Sequence, residues 1–273
     1  MNPEVHRPLT AILRDHFVGA LTFDFTRYLI AAGALVLILA LARGWAERRR
    51  IQQGRSAKRG DYWREFASSL RTVFVFAITT LTTLVMIETG FLHFSRQGFS
   101  WAAFAMQIIP MVLLHDAYFY WMHRALHHRR LFRTMHLHHH LSRTPTPWAA
   151  YSFSVWEAVT EAAFVPVYLF ILGAGGIAVF PATMFVFLNH MIVRNVMGHA
   201  GVELMPKWWV DNPISDLITS TTHHDLHHSE GNHNFGLYFT WWDRWMGTEH
   251  PHYKAAFRAA TTRQAATVSA AAT

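Results

Sequence analysis

The chain has 273 residues, of which 52% are hydrophobic, 15% aromatic and 15% charged, well below the roughly one-quarter charged residues of a soluble domain. Its net charge of +7 sits in arginine clusters beside apolar runs, which indicates membrane topology and phospholipid head groups and argues against nucleic acid. With no cysteine there can be no disulfide, haem-thiolate or cysteine-ligated iron–sulfur site within it, whereas 20 histidines need a reason.

From Met1 to Arg27 the chain carries Glu4, Asp15 and Asp24 and no small-residue cleavage site, so it lacks a secretory pattern. The first long apolar run, Tyr28 to Ala42, is short for a span of about 20 residues, and Phe23 and Phe25 extend it. The densely basic stretch from Arg43 to Arg64 is then cytoplasmic by the positive-inside rule. A second span is expected from Leu70 to Leu92, a turn around Arg96 to Ser100, and a third span from Trp101 to Trp121. Counting crossings returns the third span to the cytoplasmic side, where HRALHHRRLFR is again basic. The apolar stretch Ala158 to Val193, broken at GAGGIA (Gly173 to Ala178), reads as a helical hairpin. GAGGIA formally matches a dinucleotide fingerprint, but no strand precedes it and no acidic residue lies about 20 positions on, so that reading is rejected. The alanine- and threonine-rich tail after Phe257 is expected to be disordered.

Three histidine clusters carry the chemistry. They are His123-Arg-Ala-Leu-His127-His128, then His136-Leu-His138-His139-His140, then His223-His224-Asp-Leu-His227-His228. Residues three and four apart share a helix face, so each HxxHH is expected to turn three imidazoles into one volume, with two more from the first box. One metal takes about three to five such ligands, so eight or more nitrogens imply two metals. Imidazole suits iron, zinc, copper and nickel alike. All three boxes follow the cytoplasmic ends of apolar runs, and burying the rings unpaired would cost about 1–3 kcal/mol each, so bound ions are the economical explanation.

The stretches HDAYFYWMHRALHH, HLHHH and NPISDLITSTTHHDLHHSEGNHNFGLYFTWWDRWMGTEH closely resemble the sterol desaturase and fatty acid hydroxylase superfamily, over about Met111 to Pro251. HAGVE, His199 to Glu203, looks like the HSGYE stretch of the C-4 sterol methyl oxidases, which would make His199 a further ligand. The resemblance implies an all-α integral membrane protein with about four spans or hairpins under a cytosolic helical cap. It also implies a centre of two iron ions (Fe2+) with O2 as co-substrate, which hydroxylates or desaturates a sterol-like or fatty-acyl C–H bond. The expected divisions are N-terminal spans with the basic loop (1–110), a histidine-box catalytic region with the hairpin (111–253) and the tail (254–273). Two departures stand out: AAYSFSVWE, Ala149 to Glu157, has no histidine where the methyl oxidases carry one, and no fused cytochrome b5 domain is present. Electrons are therefore expected from an external ferredoxin or cytochrome-type reductase.

The ligand set is read as His123, His136, His139, His140, His199, His224, His227 and His228, with His123 partnered by His127 through i,i+4 geometry or by His128 through an HRxxxH pattern. His190 is either a ligand or an outer partner. Asp116, seven residues before His123, is expected to orient a ligand from another segment or to pair with Arg194, and Asp225 and Asp243 are similar candidates. His138 and His223 fall off the ligand faces. His6, His16, His93, His250 and His252 have no box spacing, and His233 is open. No catalytic residue beyond the ligands is expected. The rival readings are a zinc-dependent membrane hydrolase, which lacks its HExxH here, and a metal transporter or store, which would spread ionisable residues along the spans.

Overall fold

The computed structural model describes residues 8–96 and 98–263. Among these there is no β-strand, only three isolated bridges. Four helices are long and apolar enough to cross a membrane: α1 (Leu9–Leu41), α3 (Arg59–Glu88), α4 (Trp101–Leu126) and α6 (Val155–Ala174). Between the first two lies the short α2 (Arg43–Arg48).

The first helix starts at Leu9, well ahead of the run expected from Tyr28 and of its extension to Phe23. Asp24 and Arg27 had interrupted the apolar run, but they stand one turn apart and pair at 2.7 Å inside the bundle, so their charges are met within the helix and its end is not forced there. The GAGGIA segment is the turn of a hairpin, as expected: α6 ends at Ala174 and α7 (Pro181–Gly198) returns beside it. Two glycines explain the turn. Gly176 has φ +66, and a Cβ on Gly173 would sit 2.6 Å from the Phe91 ring. The turn is bound to the loop after α3, where Val179 N donates to His93 O at 2.8 Å and Ser95 N to Val179 O at 2.8 Å.

The other end of the bundle carries the cap. There the end of α4 leads into a π-helical turn (Phe132–His136), then α5 (Leu137–His140) and a 3-10 turn (Pro147–Tyr151). After α7 come α8 (Thr221–Glu230), α9 (Trp241–Trp245) and α10 (Tyr253–Thr262). Where α1, α3 and α7 meet the 3-10 turn, Tyr28, Phe76, Tyr151, Phe153 and Ile192 form a buried core. The tail expectation needs correcting for 254–262, which is helix. Tyr253, Phe257 and Ala260 recur on one face and are buried, and Phe257 packs with Met205, Val210 and Leu226. His6 and residues 264–273 lie outside the described residues.

Candidate metal centre

Two sets of imidazoles converge in the cap. The nitrogens of His123, His127, His136, His140 and His227 lie within 4.8 Å of one another, and those of His139, His199, His224 and His228 do likewise. The boxes are therefore divided, not confined to one volume each. In both HxxHH boxes the i,i+4 pair enters one set and the middle histidine crosses to the other. His136 and His140 join the five-membered set while His139 joins the four, and His224 and His228 join the four while His227 joins the five. A helix turns about 100° per residue, so neighbouring imidazoles cannot share a point, and the two sets abut. His140 and His228 stack at 5.0 Å between ring centroids.

The hydrogen bonds fix which nitrogen faces inward. His123 Nδ1 donates to Phe235 O at 2.9 Å, His227 Nδ1 to His233 O at 2.7 Å and His199 Nδ1 to Asn195 O at 2.8 Å. A carbonyl only accepts, so these neutral rings carry their proton on Nδ1 and present an Nε2 lone pair. His136 Nδ1 donates to Glu157 Oε1 at 2.8 Å with the same result. The inward Nε2 atoms are then close: His123 to His136 at 3.1 Å, His140 to His227 at 3.0 Å, His228 to His199 at 3.1 Å. Lone pairs at that distance repel unless a cation lies between them. Metal–imidazole bonds of about 2.0–2.1 Å place adjacent ligand nitrogens about 3 Å apart, which matches. Protonating the rings is the alternative, and the protein opposes it: burial and neighbouring imidazoles push His140 down to about 3 and His227 well below the ordinary histidine range. The donor set fits two metal ions.

The stretch that follows the third box is a brace. The NHNFG turn supplies both the His233 and Phe235 carbonyls that hold ligands. Asp243 holds the turn, its Oδ1 accepting from Phe235 N at 2.9 Å and its Oδ2 from Gly236 N at 2.8 Å, and burial raises its pKa to about 6. A Cβ on Gly236 would meet Phe239 O at 2.6 Å, hence the glycine. Glu203 of HAGVE accepts from Met205 N and Thr222 N, both at 2.8 Å, and so ties the His199 turn to the first turn of α8.

Several expected residues sit elsewhere. His128 lies outside both sets: it is exposed, and its Nδ1 accepts from Arg130 N at 3.4 Å. His190 is outside as well, its ring packed on Tyr238 at 4.6 Å. Asp116 does not hold a ligand histidine. Its Oδ1 accepts from Tyr238 N at 2.9 Å and Phe239 N at 3.2 Å and its Oδ2 from Trp241 Nε1 at 3.0 Å, so it clamps the segment beyond the brace to α4. Arg194, its suggested partner, instead donates to Thr219. Asp225 accepts from Gln52 Nε2 at 2.9 Å and faces the loop after α2; burial raises it to about 7. His138 pairs with Ser68 at 2.8 Å, buried His223 faces Asp243 at 3.5 Å, and His250, which has no box spacing, is buried against Glu230 at 2.7 Å. Glu157 is the carboxylate that sequence reasoning missed. Its signal was the Ser154-x-x-Glu157 helix start, in which Ser154 Oγ accepts from Glu157 N at 3.1 Å and fixes where the glutamate leaves the helix.

An apolar cavity of about 210 Å3 lies among α1, α3, α4, α6 and α7, and Phe119 and Phe153 are in its wall. Both rings also touch the centre, Phe119 at 5.0 Å from His123 and Phe153 at 5.1 Å from His139.

Residues 108–248 match the fatty acid hydroxylase family, a little over half of the chain. The chain is 32% identical to lathosterol oxidase of Rattus norvegicus over 155 residues, 55% of this chain and 48% of the relative. It is 26% identical to a Delta(7)-sterol 5(6)-desaturase of Gibberella zeae over 221 residues, covering 80% and 65%. With a very-long-chain aldehyde decarbonylase of Oryza sativa it shares 29% over 141 residues, covering 48% and 22%. It thus spans about half the length of the rat relative, and no solved structure matches it. The family match takes in every box histidine together with His199 and the brace, and the chain belongs to the fatty acid hydroxylase family.

Proposed function

We propose that the chain is a multi-pass membrane oxidoreductase that uses O2 to hydroxylate or desaturate a C–H bond of a lipid. The observation that carries this reading is the pair of converging imidazole sets beside an apolar cavity between membrane-type helices. His123, His127, His136, His140 and His227 would hold one iron ion and His139, His199, His224 and His228 the other. When bound, the pair supplies the redox chemistry that activates O2 and removes hydrogen from carbon.

The chain's own residues do the rest. The carbonyls of Phe235, His233 and Asn195 and the carboxylate of Glu157 keep the protons on Nδ1 and the Nε2 lone pairs inward. Phe119 and Phe153 separate the histidines from the cavity with apolar surface, which excludes water and lets an alkyl segment approach. Residues 111–253 form the catalytic part. The basic loop after α1 and HRALHHRRLFR share the cap's end of the bundle, and both support a cytoplasmic centre supplied by an external ferredoxin or cytochrome-type reductase.

The test is to purify the protein, measure metal identity and stoichiometry, and follow O2 uptake with a reductant and a lipid extract. Two irons per chain with oxidised lipid are expected. One zinc and no O2 uptake would overturn the reading in favour of a hydrolase, and metal exchange without oxidation in favour of a transporter or store.

A further inference from the structure

The cavity is apolar over most of its wall, but one side is not. Asp24 and Arg27 of α1 line it, with Tyr151 and with Glu161 of α6. Asp24 and Arg27 are buried, at 6% and 7% exposure. Arg27 Nε and Nη2 both reach Asp24 Oδ1 at 2.7 Å and Nη1 donates to Leu188 O at 2.5 Å. Both contacts to the carboxylate fall on Oδ1, which leaves Oδ2 to accept from another donor. Tyr151 is 1% exposed, lies with its ring 6.0 Å from the Arg27 guanidinium carbon, and its hydroxyl is buried with no hydrogen-bond partner. An orphaned phenol at this depth carries a desolvation cost that a bound oxygen atom would relieve.

We propose that Asp24, Arg27 and Tyr151 form a recognition site for an uncharged oxygen function, a hydroxyl or a carbonyl, on an otherwise apolar lipid. The geometry supplies a donor in Tyr151 and an acceptor in Asp24, the complement of a hydroxyl. The charges exclude a carboxylate. Arg27 is the one lysine or arginine among the described residues of the wall, and it is already neutralised by Asp24 with Glu161 nearby, so an anionic head group meets no free cation. Position adds a second consequence. The Tyr151 ring lies 6.2 Å from that of Phe153, which in turn lies 5.1 Å from His139, so one aromatic ring links the polar side of the wall to the metal centre. That the occupant is the substrate rests on the proposed function; that the cavity selects a neutral oxygen does not. Asp24 and Arg27 lie outside the family match and Tyr151 inside it, so the site joins the N-terminal helix to the matched region.

The experiment is competition for labelled 1-octadecanol on the metal-loaded full chain in detergent, with octadecane and stearate as competitors, and metal content measured in parallel. Octadecanol is expected to bind about tenfold more tightly than octadecane, the worth of about one net hydrogen bond, with stearate no better than octadecane. Tyr151→Phe, which keeps the ring packing, is expected to bring octadecanol within about twofold of octadecane without changing metal content. Equal binding of octadecane and octadecanol to the unaltered chain would overturn the proposal, as would preference for stearate or equal weakening of both ligands by Tyr151→Phe. Absence of discrimination in the unaltered chain, where that chain still holds two irons and consumes O2, would refute this site alone. Discrimination in a protein that binds no iron would uphold the site and sink the proposed function.

Discussion

The five-histidine and four-histidine sets draw on the same boxes but are held from behind in different ways. In the first, His123, His136 and His227 are each fixed at Nδ1, two by carbonyls of the NHNFG turn and one by the Glu157 carboxylate, at 2.7–2.9 Å. In the second, His199 is held firmly at 2.8 Å, His139 reaches Ser152 O only at 3.4 Å, and the Nδ1 of His228 is buried without a partner. The outer partner of a ligand fixes its ring and raises its basicity, so the better-braced set should bind its ion more tightly. What differs between the two halves is the loop chemistry behind the boxes; the boxes themselves are nearly equivalent.

The largest effect should come from removing a ligand at the middle of one set. His140 Nε2 lies 3.0–3.1 Å from those of His127, His136 and His227, so His140→Ala opens a gap shared by three neighbours. Metal content should fall from two ions per chain towards one, and turnover by more than the roughly 100-fold that loss of an outer partner costs at most. His224→Ala should remove the other ion. If both variants retained two ions, the division into five and four would be wrong.

A smaller change addresses the bracing itself. Glu157→Ala leaves every ligand in place but frees His136 to rotate and to shift its proton, and should lower affinity at the first set by about 10–100-fold. In the unaltered protein, titration with a chelator should release the ion of the four-histidine set first. In Glu157→Ala the two release steps should merge or exchange order, followed by metal analysis against chelator concentration. A variant that kept the original order would show that bracing does not set the difference.

How much of this was legible in the sequence follows the same division. The boxes were, because i,i+3,i+4 spacing is local and helix geometry converts it directly into shared faces. Their partition between two ions was not, because it depends on where α5 and α8 lie relative to each other. His199 could be found only by the resemblance of HAGVE, since a single histidine at the end of α7 has no spacing to mark it. Asp116 was singled out as a carboxylate with a partner in another segment, yet given the wrong one: the Tyr238–Trp241 segment that it clamps lies more than 120 residues away in the chain. Glu157 was hidden for the same reason. Its S-x-x-E signature reports a helix start, and only the fold brings that start to His136. The spans were visible as apolar runs, but their lengths were not, because internally paired charges such as Asp24 and Arg27 look like breaks in the sequence.

The smallest expected effect bears on a ligand choice that the sequence left open, His127 or His128. His123 and His127 are four apart and the nitrogens of both enter the five-histidine set; His128 follows one residue later, about 100° round the helix axis, and is exposed where α4 ends. His128→Ala should therefore leave two ions bound, change turnover by less than about twofold and alter stability within about 0.5 kcal/mol, the ordinary range for a surface substitution. His127→Ala, measured beside it, should lose the first ion, because His127 Nε2 lies 3.1 Å from that of His140. The opposite result, metal lost with His128 and kept without His127, would mean that α4 runs on by a further residue in the loaded protein and that the HRxxxH register holds. The first set would then take its ligand from a helix face that this structure turns towards solvent.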